Sequence, residues 1–459
     1  MNSAALSVAG ARSERDASLM LRSGWLAIMG ALFFSTYAFA NWLASTRASV
    51  PTFAFAWERA IPFMPWSIVP YWSIDVFYAL SFLLCVRRAA LHAHVRRLFT
   101  VQMISVACFI AWPLSFGAER PVSSGVTGVL FDLLTGIDKP YNQAPSLHIG
   151  LLIVLWTFYA GVLRNKAARA VLHLWFMAIG VSVLTTWQHH VIDVPTGAAV
   201  GGFALFLFPL ADDVTGAALP CARSRRIAGV YATVAVALTA FALILVRHAV
   251  GAALVTGWVS LAFACVAWIY WQGSPAAFQK DERGRIPLAV RLLLAPAIAG
   301  AFINSRLWTR KRPSPVRVAT GVSIGRTPTP REWRQHGFDA LLDLTAEMPR
   351  WIALDQSHVY LCVPHLDLVP PTLLRLNAAV EALGELHRDG RDVLVCCALG
   401  YGRSVLCAAA WIAKTQGLHD ARAALLAVRS AQRRAVWSKD TVALLQDWID
   451  HCTVHGRQG

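Results

Sequence analysis

Residues 393–404 read VLVCCALGYGRS, and this stretch decides the fold of the C-terminal part of the chain. The apolar run at its start is typical of a buried strand. The sequence SVLCAAAWIAK, which begins at Ser404, has the Ala and Leu content of a helix. A strand, a tight loop and a helix N-terminus gather backbone N–H groups around an anion. The stretch therefore predicts a phosphate site.

Four residues of this loop suit phosphate chemistry. Gly400 and Gly402 let the backbone curl closely around a phosphate. Arg403 can bind two phosphate oxygens with its planar guanidinium. Cys397, placed in this positive field, is expected to act as a thiolate nucleophile.

The spacing of Cys397, Arg403 and Ser404 resembles the C-x5-R-S/T signature of the dual-specificity branch of the cysteine-dependent phosphatases. The resemblance implies hydrolysis of a phosphomonoester through phosphocysteine, with Ser404 helping the thiolate to leave. The family usually has His where this chain has Cys396. We interpret Cys396 either as a buried thiol at the strand end or as a redox partner of Cys397.

The same resemblance implies a general acid on a loop before the nucleophile. Asp367 follows an apolar run and lies 30 residues before Cys397, about the distance at which the family places this acid. We therefore predict that Asp367 protonates the leaving oxygen. The alternative is an Asp that only forms a turn before Pro370.

Further stretches upstream predict a compact α/β domain over residues 314–459. Strands are expected at residues 322–326, in DALLDLTAEMP and at residues 359–363, and an amphipathic helix at TLLRLNAAVEALGELHRDG.

The composition of the whole chain is that of a membrane protein. Of its 459 residues 56% are hydrophobic and only 15% are charged. Several apolar runs reach the roughly 20 residues that cross a bilayer. The net charge of +16 is expected to reflect basic cytoplasmic loops that face anionic lipid, and no nucleic acid partner is predicted. The nine Cys have neither metal-ligand spacing nor a disulfide pattern, and no metal or cofactor is predicted.

The apolar runs predict about eight membrane spans. They lie near residues 24–44, 67–86, 98–116, 147–162, 171–186, 196–210, 229–246 and 252–271. Residues 117–146, between the third and fourth spans, are predicted to be a long polar loop. Basic clusters fall on every second loop, which predicts that both termini are cytoplasmic, in a bacterial inner membrane. A further apolar stretch, residues 286–303, contains Arg291 and Pro296, so we interpret it as an interfacial or linker helix.

The predicted fold class is a polytopic α-helical membrane domain followed by an α/β cysteine-phosphatase domain. The expected parts are a cytoplasmic tail (1–22), a membrane domain (23–272), a basic or interfacial linker (273–313) and the phosphatase-like domain (314–459).

A second set of reactive residues lies in the predicted membrane domain. Residues 138–148 read DKPYNQAPSLH, and residues 188–198 read QHHVIDVPTGA. Asp193 follows His189 by four residues, which places both on one face if they share a helix. The carboxylate can then accept a proton from one ring nitrogen and leave the other as a nucleophile or base.

These motifs resemble the type 2 phosphatidic acid phosphatase superfamily, closest to its inositol-phosphorylceramide synthase-like branch, over about residues 58–208. The resemblance implies a phosphohistidine mechanism on a lipid phosphate, by hydrolysis or head-group transfer. The alternation of basic loops predicts that this site faces the periplasm. The implied roles are nucleophile for His189, its orientation by Asp193, general acid for His148, and phosphate binding for Ser146 and Arg120.

Two functional hypotheses follow. In the first, the chain is a bifunctional membrane phosphatase that acts on a phosphorylated lipid or a phosphoprotein, with a phosphoinositide or phosphatidylglycerophosphate-like lipid preferred at the cysteine site. In the second, the tail is a membrane-anchored protein tyrosine phosphatase, and the membrane half is a non-catalytic lipid binder or a transporter. In that case His189 and Asp193 only cap helices or line a channel.

Overall fold

The structure, a computed structural model, describes residues 16–210 and 220–456. The chain forms two compact units, Met1–Asp212 and Asp213–Gly459. The predicted membrane domain ends at residue 272, whereas the second unit begins at Asp213. The second unit therefore also contains the last two predicted spans. Residues 1–15 of the predicted tail and the last three residues of the predicted C-terminal domain lie outside the described residues.

Helices form the described part of the first unit. They are α1 (Leu19–Ser45), α2 (Ile68–Leu84), α3 (Arg88–Ala111), α4 (Gly125–Ile137), α5 (Leu147–Val162), α6 (Lys166–Thr185) and α7 (Asp193–Leu207). Short 3-10 turns at Ala56–Ala60 and Pro65–Ser67 precede α2.

Six helices of the described residues are long and apolar enough to cross a membrane. They are Leu19–Ser45, Pro65–Leu84, Arg88–Ala111, Lys166–Thr185, Ala222–Leu245 and Val250–Gln272. The two other predicted spans are the shorter helices α5 and α7, with 16 and 15 residues. At 1.5 Å per residue these reach about 24 Å and about 22 Å, less than the bilayer core of about 30 Å. Six of the eight predicted spans therefore correspond to helices of full spanning length, and the other two correspond to shorter apolar helices.

Residues 117–146, predicted to be a polar loop, contain helix α4. Phe131 and Leu134 are buried and lie three residues apart, which gives α4 one inward apolar side. The prediction of a loop over the whole stretch is wrong because apolar residues recur at helical spacing within it.

Two glycines of α7 allow it to pack closely against α5. A Cβ on Gly197 would lie 2.4 Å from the carbonyl oxygen of Ser146, and a Cβ on Gly201 would lie 2.6 Å from that of Gly150. Any larger side chain would push the helices apart. The close contact places the start of α7 beside the start of α5, where the predicted His and Asp residues lie.

A five-stranded sheet of order β1-β2-β5-β3-β4 forms the centre of the second unit. Its strands are β1 (Val316–Ala319), β2 (Val322–Arg326), β3 (Ala340–Thr345), β4 (Val359–His365) and β5 (Val393–Cys397). The edge strand β1 is antiparallel, and the other four strands are parallel. The strand predictions are confirmed as β2, β3, β4 and β5, and β1 is additional.

Nine helices accompany this sheet among the described residues. They are α8 (Ala222–Leu245), α9 (Val250–Gln272), α10 (Leu288–Leu293), α11 (Ala295–Thr309), α12 (Pro330–His336), α13 (Leu373–Arg388), α14 (Arg403–Gln416), α15 (Ala421–Ala431) and α16 (Lys439–Gly456). The two helices predicted from sequence, before and after the Cys397 loop, are confirmed as α13 and α14.

The core of the α/β domain surrounds β3 and β5, whose residues are all buried. This is expected for parallel strands that are covered on both faces. The larger core cluster includes residues of α13, α14 and α16 together with Val395. A smaller cluster joins Trp333 and Phe338 to Leu394 and Cys396. The carboxyl ends of the four parallel strands meet at one edge of the sheet, and the cysteine site lies there.

The predicted linker is bonded to the α/β domain. Lys280 Nζ donates to Asp343 Oδ2 at 2.7 Å and to the carbonyl oxygen of Thr345 at 2.8 Å, and both charged side chains are buried. Ser305 Oγ on α11 donates to the carbonyl oxygen of Ala398 at 2.5 Å. These contacts fix both ends of the segment to the sheet domain.

The apolar stretch 286–303, predicted to be one interfacial or linker helix, is divided at Leu294 into α10 and α11. Pro296 lies in the first turn of α11, where its missing N–H costs no helical hydrogen bond. Neither helix is among the six that are long and apolar enough to cross a membrane.

Candidate functional site

Cys397 ends β5, and α14 begins six residues later at Arg403, with Gly402 as its N-cap. Gly400 adopts φ +76°, and a Cβ on it would lie 2.6 Å from the carbonyl carbon of Gly325, so the loop requires glycine there. The N–H of Gly400 donates to Cys397 Sγ at 3.2 Å. The loop and helix N-terminus therefore direct positive potential toward the sulfur.

Arg403 is buried and held by several acceptors. It forms a bidentate pair with the Glu347 carboxylate at 2.6 and 2.9 Å, and it donates to the carbonyl oxygen of His365 at 2.8 Å. Burial by itself lowers the pKa of Arg403, but the carboxylates of Glu347 and Asp367 raise it well above its usual value. The guanidinium is therefore charged and fixed in orientation.

Two further predicted residues lie at this centre. Ser404 Oγ is 3.4 Å from Cys397 Sγ, close enough to donate a hydrogen bond to a leaving thiolate. Asp367 Oδ1 lies 3.1 Å from Arg403 Nη2. The structure thus brings together four residues that the sequence separates by up to 37 positions, Asp367, Cys397, Arg403 and Ser404.

The loop that holds Asp367 is supported by α9. Leu368, the next residue, has φ +59°, an unusual backbone conformation for a residue with a side chain. The hydroxyl of Tyr270 donates to the carbonyl oxygen of Asp367 at 3.2 Å. This bond fixes the peptide between Asp367 and Leu368, and with it the direction of the carboxylate.

A cavity of about 240 Å³ has Cys397, Arg403 and Asp367 in its lining. Apolar and aromatic side chains provide much of the remaining wall, and Arg223 adds a second guanidinium. The cavity therefore presents a thiol sulfur, a fixed cation and a carboxyl group to one molecule.

Asp367 gives a prediction about pH. Partial burial raises the pKa of Asp367 above that of an ordinary carboxyl; the Arg403 guanidinium opposes the rise and Glu347 reinforces it. A larger fraction is then protonated near neutral pH, and turnover should fall as pH rises through this pKa. We expect Asp367→Asn to abolish this fall in turnover at high pH. The variant should also lower kcat on alkyl phosphates by about 10²–10⁴-fold. The loss on para-nitrophenyl phosphate should be smaller, because that leaving group needs little protonation.

The Tyr270 bond gives a second prediction. Tyr270→Phe removes the hydroxyl and leaves the ring, so the protein should fold normally while the Asp367 loop loses one restraint. We expect kcat on an alkyl phosphate to fall several-fold with little change in KM, since a neutral hydrogen bond contributes about 1 kcal/mol. Tyr231→Phe is the matched control on α8. Equal pH profiles and equal kcat in both variants would contradict a positioning role for Tyr270.

Residues 325–448 match the family described as dual specificity phosphatase, catalytic domain. The C-terminal domain is a dual specificity phosphatase domain, and the chain is a phosphatase. The match lies wholly within the second unit and includes the Cys397 loop. No curated protein matches the chain.

Three solved structures are similar to part of the chain. Tk-PTP in the active form shares 27% sequence identity over 30% of this chain and 98% of that chain, with a TM-score of 0.26. A mouse putative dual specificity phosphatase complexed with zinc tungstate shares 23% sequence identity over 31% of this chain and 91% of that chain, with a TM-score of 0.28. Human DUSP28 shares 22% sequence identity over 30% of this chain and 99% of that chain, with a TM-score of 0.28.

One important residue of the phosphatase site is absent from the sequence prediction. Glu347 lies two residues after the end of β3, in the predicted strand-and-loop stretch DALLDLTAEMP. Its position after a buried parallel strand is a usable signal, because parallel strands end at the same edge of the sheet.

Cys396 is fully buried beside Leu394 and Trp333, and burial raises its pKa well above its usual value. This environment supports a buried strand-end thiol for Cys396.

The first unit brings its predicted residues together around His189. Asp193 Oδ2 lies 3.1 Å from His189 Nδ1, and Ser146 Oγ lies 3.1 Å from His189 Nε2. His189 and Asp193 do not share a helix, because α7 begins at Asp193 and His189 lies in the preceding turn. The Asp193 carboxylate also accepts from the His190 N–H at 2.9 Å, so it closes this turn at the helix N-terminus.

His148 and His189 both line a second cavity, of about 340 Å³. The ring of His148 stacks on Tyr71 with centroids 4.3 Å apart, and its buried Nε2 has no hydrogen-bond partner among the described residues. Arg120 lies nearby: the side-chain oxygen of Gln188, in the amide orientation that satisfies both groups, accepts from Arg120 Nη1 at 2.8 Å.

Two carboxylates at this second centre are absent from the sequence prediction. Glu58 Oε2 accepts from His190 Nδ1 at 2.9 Å and from the Val191 N–H at 3.2 Å, which fixes the turn after His189. Asp138 lines the cavity and accepts from the Tyr37 hydroxyl at 2.7 Å. Glu58 is a lone acid in a loop rich in aromatics and prolines. This isolated charge is the sequence feature that could have indicated a role for Glu58 at the site.

Proposed function

We propose that the phosphatase domain hydrolyses phosphomonoesters through a phosphocysteine at Cys397. The supporting observation is the shared cavity of about 240 Å³ in which Cys397, Arg403 and Asp367 meet. Arg403 and the loop N–H groups bind the equatorial phosphate oxygens, whose charge they stabilise in the transition state.

The proposed reaction has two steps. Cys397 Sγ attacks phosphorus, the S–P bond forms, the P–O bond to the leaving alkoxide breaks, and Asp367 gives that oxygen a proton. Water then attacks the phosphocysteine and gives a proton to Asp367. Phosphate leaves, and Ser404 stabilises the returning thiolate.

We further propose a second phosphoryl-transfer site in the first unit. The observation that favours it is the arrangement around His189, with Asp193 on one ring nitrogen and Ser146 beside the other, at a cavity that also contains His148. Asp193 holds the ring so that Nε2 can attack phosphorus, and His148 protonates the leaving group. Much of the cavity lining is apolar, which suits a lipid phosphate.

The long apolar helices support the proposal that the protein is an integral membrane phosphatase. The distribution of basic residues favours cytoplasmic termini, a cytoplasmic phosphatase domain and an outward-facing His189 site. Its substrates would be a phosphorylated lipid or a phosphoprotein at the cysteine site, and a lipid phosphate or lipid head group at the histidine site.

The test is phosphate release by full-length detergent-purified wild type, Cys397→Ser, His189→Ala and the double variant. The substrates are para-nitrophenyl phosphate, a phosphotyrosine peptide, phosphatidic acid and a phosphatidylinositol monophosphate. We expect each single variant to lose a different set of substrates and the double variant to lose all. Loss of every activity in Cys397→Ser alone would contradict the histidine site and favour an anchored phosphatase. Retention of aryl phosphatase activity in Cys397→Ser would contradict the cysteine site.

A further inference from the structure

The hairpin of α8 and α9 belongs to the same compact unit as the phosphatase domain. Its two helices pack through the stacked rings of Tyr231 and Tyr270, with centroids 5.7 Å apart, and through a 2.8 Å hydrogen bond between Thr239 and Ser260. Both helices are long and apolar enough to cross a membrane. The phosphatase domain is therefore joined to a structured apolar hairpin.

The two outer ends of this hairpin reach the catalytic cavity. Arg223, in the first turn of α8, lines the cavity together with Cys397. Tyr270, in the last turn of α9, donates to the carbonyl oxygen of Asp367. The helix ends thus provide part of the cavity wall and a support for the predicted acid.

The same hairpin ends have the composition of a membrane–water interface. Arg223, Arg225 and Arg226 begin α8, and the apolar part of the helix follows them. The Arg225 guanidinium lies 5.4 Å from the ring centroid of Trp271, near the end of α9. Basic and Trp side chains concentrate at this depth of a bilayer. A hairpin that crosses the membrane would therefore hold the Cys397 cavity at the membrane surface.

Helices α10 and α11 add exposed apolar surface to this unit. The Trp258 indole donates to the carbonyl oxygens of Leu292 and Leu293 at 3.1 and 3.2 Å, which attaches α10 to α9. Large exposed side chains on α10 and α11 are Leu288, Leu292, Ile303, Leu307 and Trp308. Because α10 and α11 both pack against α9, an apolar helix long enough to cross a membrane, lipid is the occupant that explains this exposure.

We propose that the Cys397 cavity takes the phosphorylated head group of a lipid that stays in the bilayer, with Arg223 as a second phosphate-binding or head-group-binding cation. The inference rests on the proposed phosphatase function of Cys397. The only ion pair of Arg223 among the described residues is a loose one of 3.9 Å with the exposed Asp440, so its guanidinium is available to a ligand. A substrate held in the same membrane also reaches the cavity at a high effective concentration.

The experiment uses the full chain with His189→Ala, so that the proposed histidine site does not contribute. The protein is reconstituted in phosphatidylcholine vesicles that contain long-chain phosphatidylinositol monophosphate or long-chain phosphatidic acid. The dibutanoyl forms of both lipids present the same head groups in water. A phosphotyrosine peptide and para-nitrophenyl phosphate complete the panel, and Cys397→Ser provides the blank.

We expect kcat/KM for at least one long-chain lipid to exceed that for its dibutanoyl form and for the peptide by about tenfold or more. Equal rates for the long-chain and dibutanoyl forms, or faster turnover of the peptide, would overturn the inference while leaving the phosphatase function intact. If none of the substrates, including para-nitrophenyl phosphate, were turned over above the blank, the proposed function itself would fail.

Variants of the hairpin end give an independent test. We expect Arg223→Ala to lower turnover of the long-chain lipid by about tenfold, because it removes a charged hydrogen bond, with a smaller loss on para-nitrophenyl phosphate. Arg223→Lys should restore part of the loss. Arg226→Ala removes the same charge from the same helical turn, and this exposed side chain does not line the cavity. Equal losses in Arg223→Ala and Arg226→Ala would show only an effect of surface charge and would overturn the role of Arg223.

Discussion

Cys397→Ser should lower turnover of para-nitrophenyl phosphate by on the order of 10⁴-fold or more, because the sulfur is the proposed nucleophile. A hydroxyl in the same place is a far weaker nucleophile, since it is not ionised near neutral pH. The fixed Arg403 guanidinium and the loop N–H groups remain, so substrate binding should persist. The measurement is kcat and the inhibition constant of a non-hydrolysable phosphate analogue in wild type and variant.

Cys452→Ser is the matched control, because Cys452 is a partly exposed thiol on α16. Its kcat should equal that of wild type. A Cys397→Ser variant that keeps more than a hundredth of the activity would contradict nucleophilic catalysis by this sulfur. A variant that loses affinity for the analogue as well would point to a collapsed loop.

Lys280→Met should destabilise the phosphatase domain by about 3–5 kcal/mol, because it leaves the Asp343 carboxylate buried without its cation. Burial by itself raises the pKa of Asp343, but the Lys280 ammonium holds it below its usual value. The carboxylate is therefore charged at neutral pH, and the stabilisation is lost as pH falls through the lowered folded pKa. Lys280 precedes the region that matches the phosphatase family, so this effect would show that the domain extends beyond it.

The loss is measured as the midpoint of thermal inactivation of aryl phosphatase activity in the full chain. We expect a decrease of about 6–20 °C for a unit of this size. Lys414→Met is the control, because Lys414 pairs with Glu381 at 2.6 Å while both side chains are about half exposed. That surface pair should contribute at most about 1 kcal/mol. Equal midpoint shifts in the two variants would contradict a structural role for the buried pair.

Local patterns predicted much of the phosphatase domain. The run at residues 393–395, flanked by Cys and Gly, predicted β5 and its loop, since short apolar runs next to turn residues are typical of buried strands. The resemblance to the cysteine-dependent phosphatases predicts Asp367 as the acid, and this residue lies 3.1 Å from Arg403. Glu347 was not found, because its relation to Arg403 arises only when β3 and β5 pair in the sheet.

Long-range contacts also explain the other features that the sequence did not predict. Lys280 is a single charged residue in a basic segment, and nothing local distinguishes a buried lysine from an exposed one. The start of α7 at Asp193 depends on a turn in which Glu58, about 130 residues earlier, bonds His190 and Val191. The contact between His189 and Asp193 could be predicted from spacing, whereas the turn that creates it could not.

The most direct measurement for the central claim is identification of the phosphorylated residue in the phosphatase domain. The full chain with His189→Ala is mixed with a phosphate monoester, quenched within milliseconds and digested for mass spectrometry. Phosphate should be found on Cys397, should decay as phosphate is released, and should be absent in Cys397→Ser. Rapid phosphate release without phosphate on Cys397, or labelling of another residue in the Cys397→Ser protein at the wild-type rate, would contradict the account.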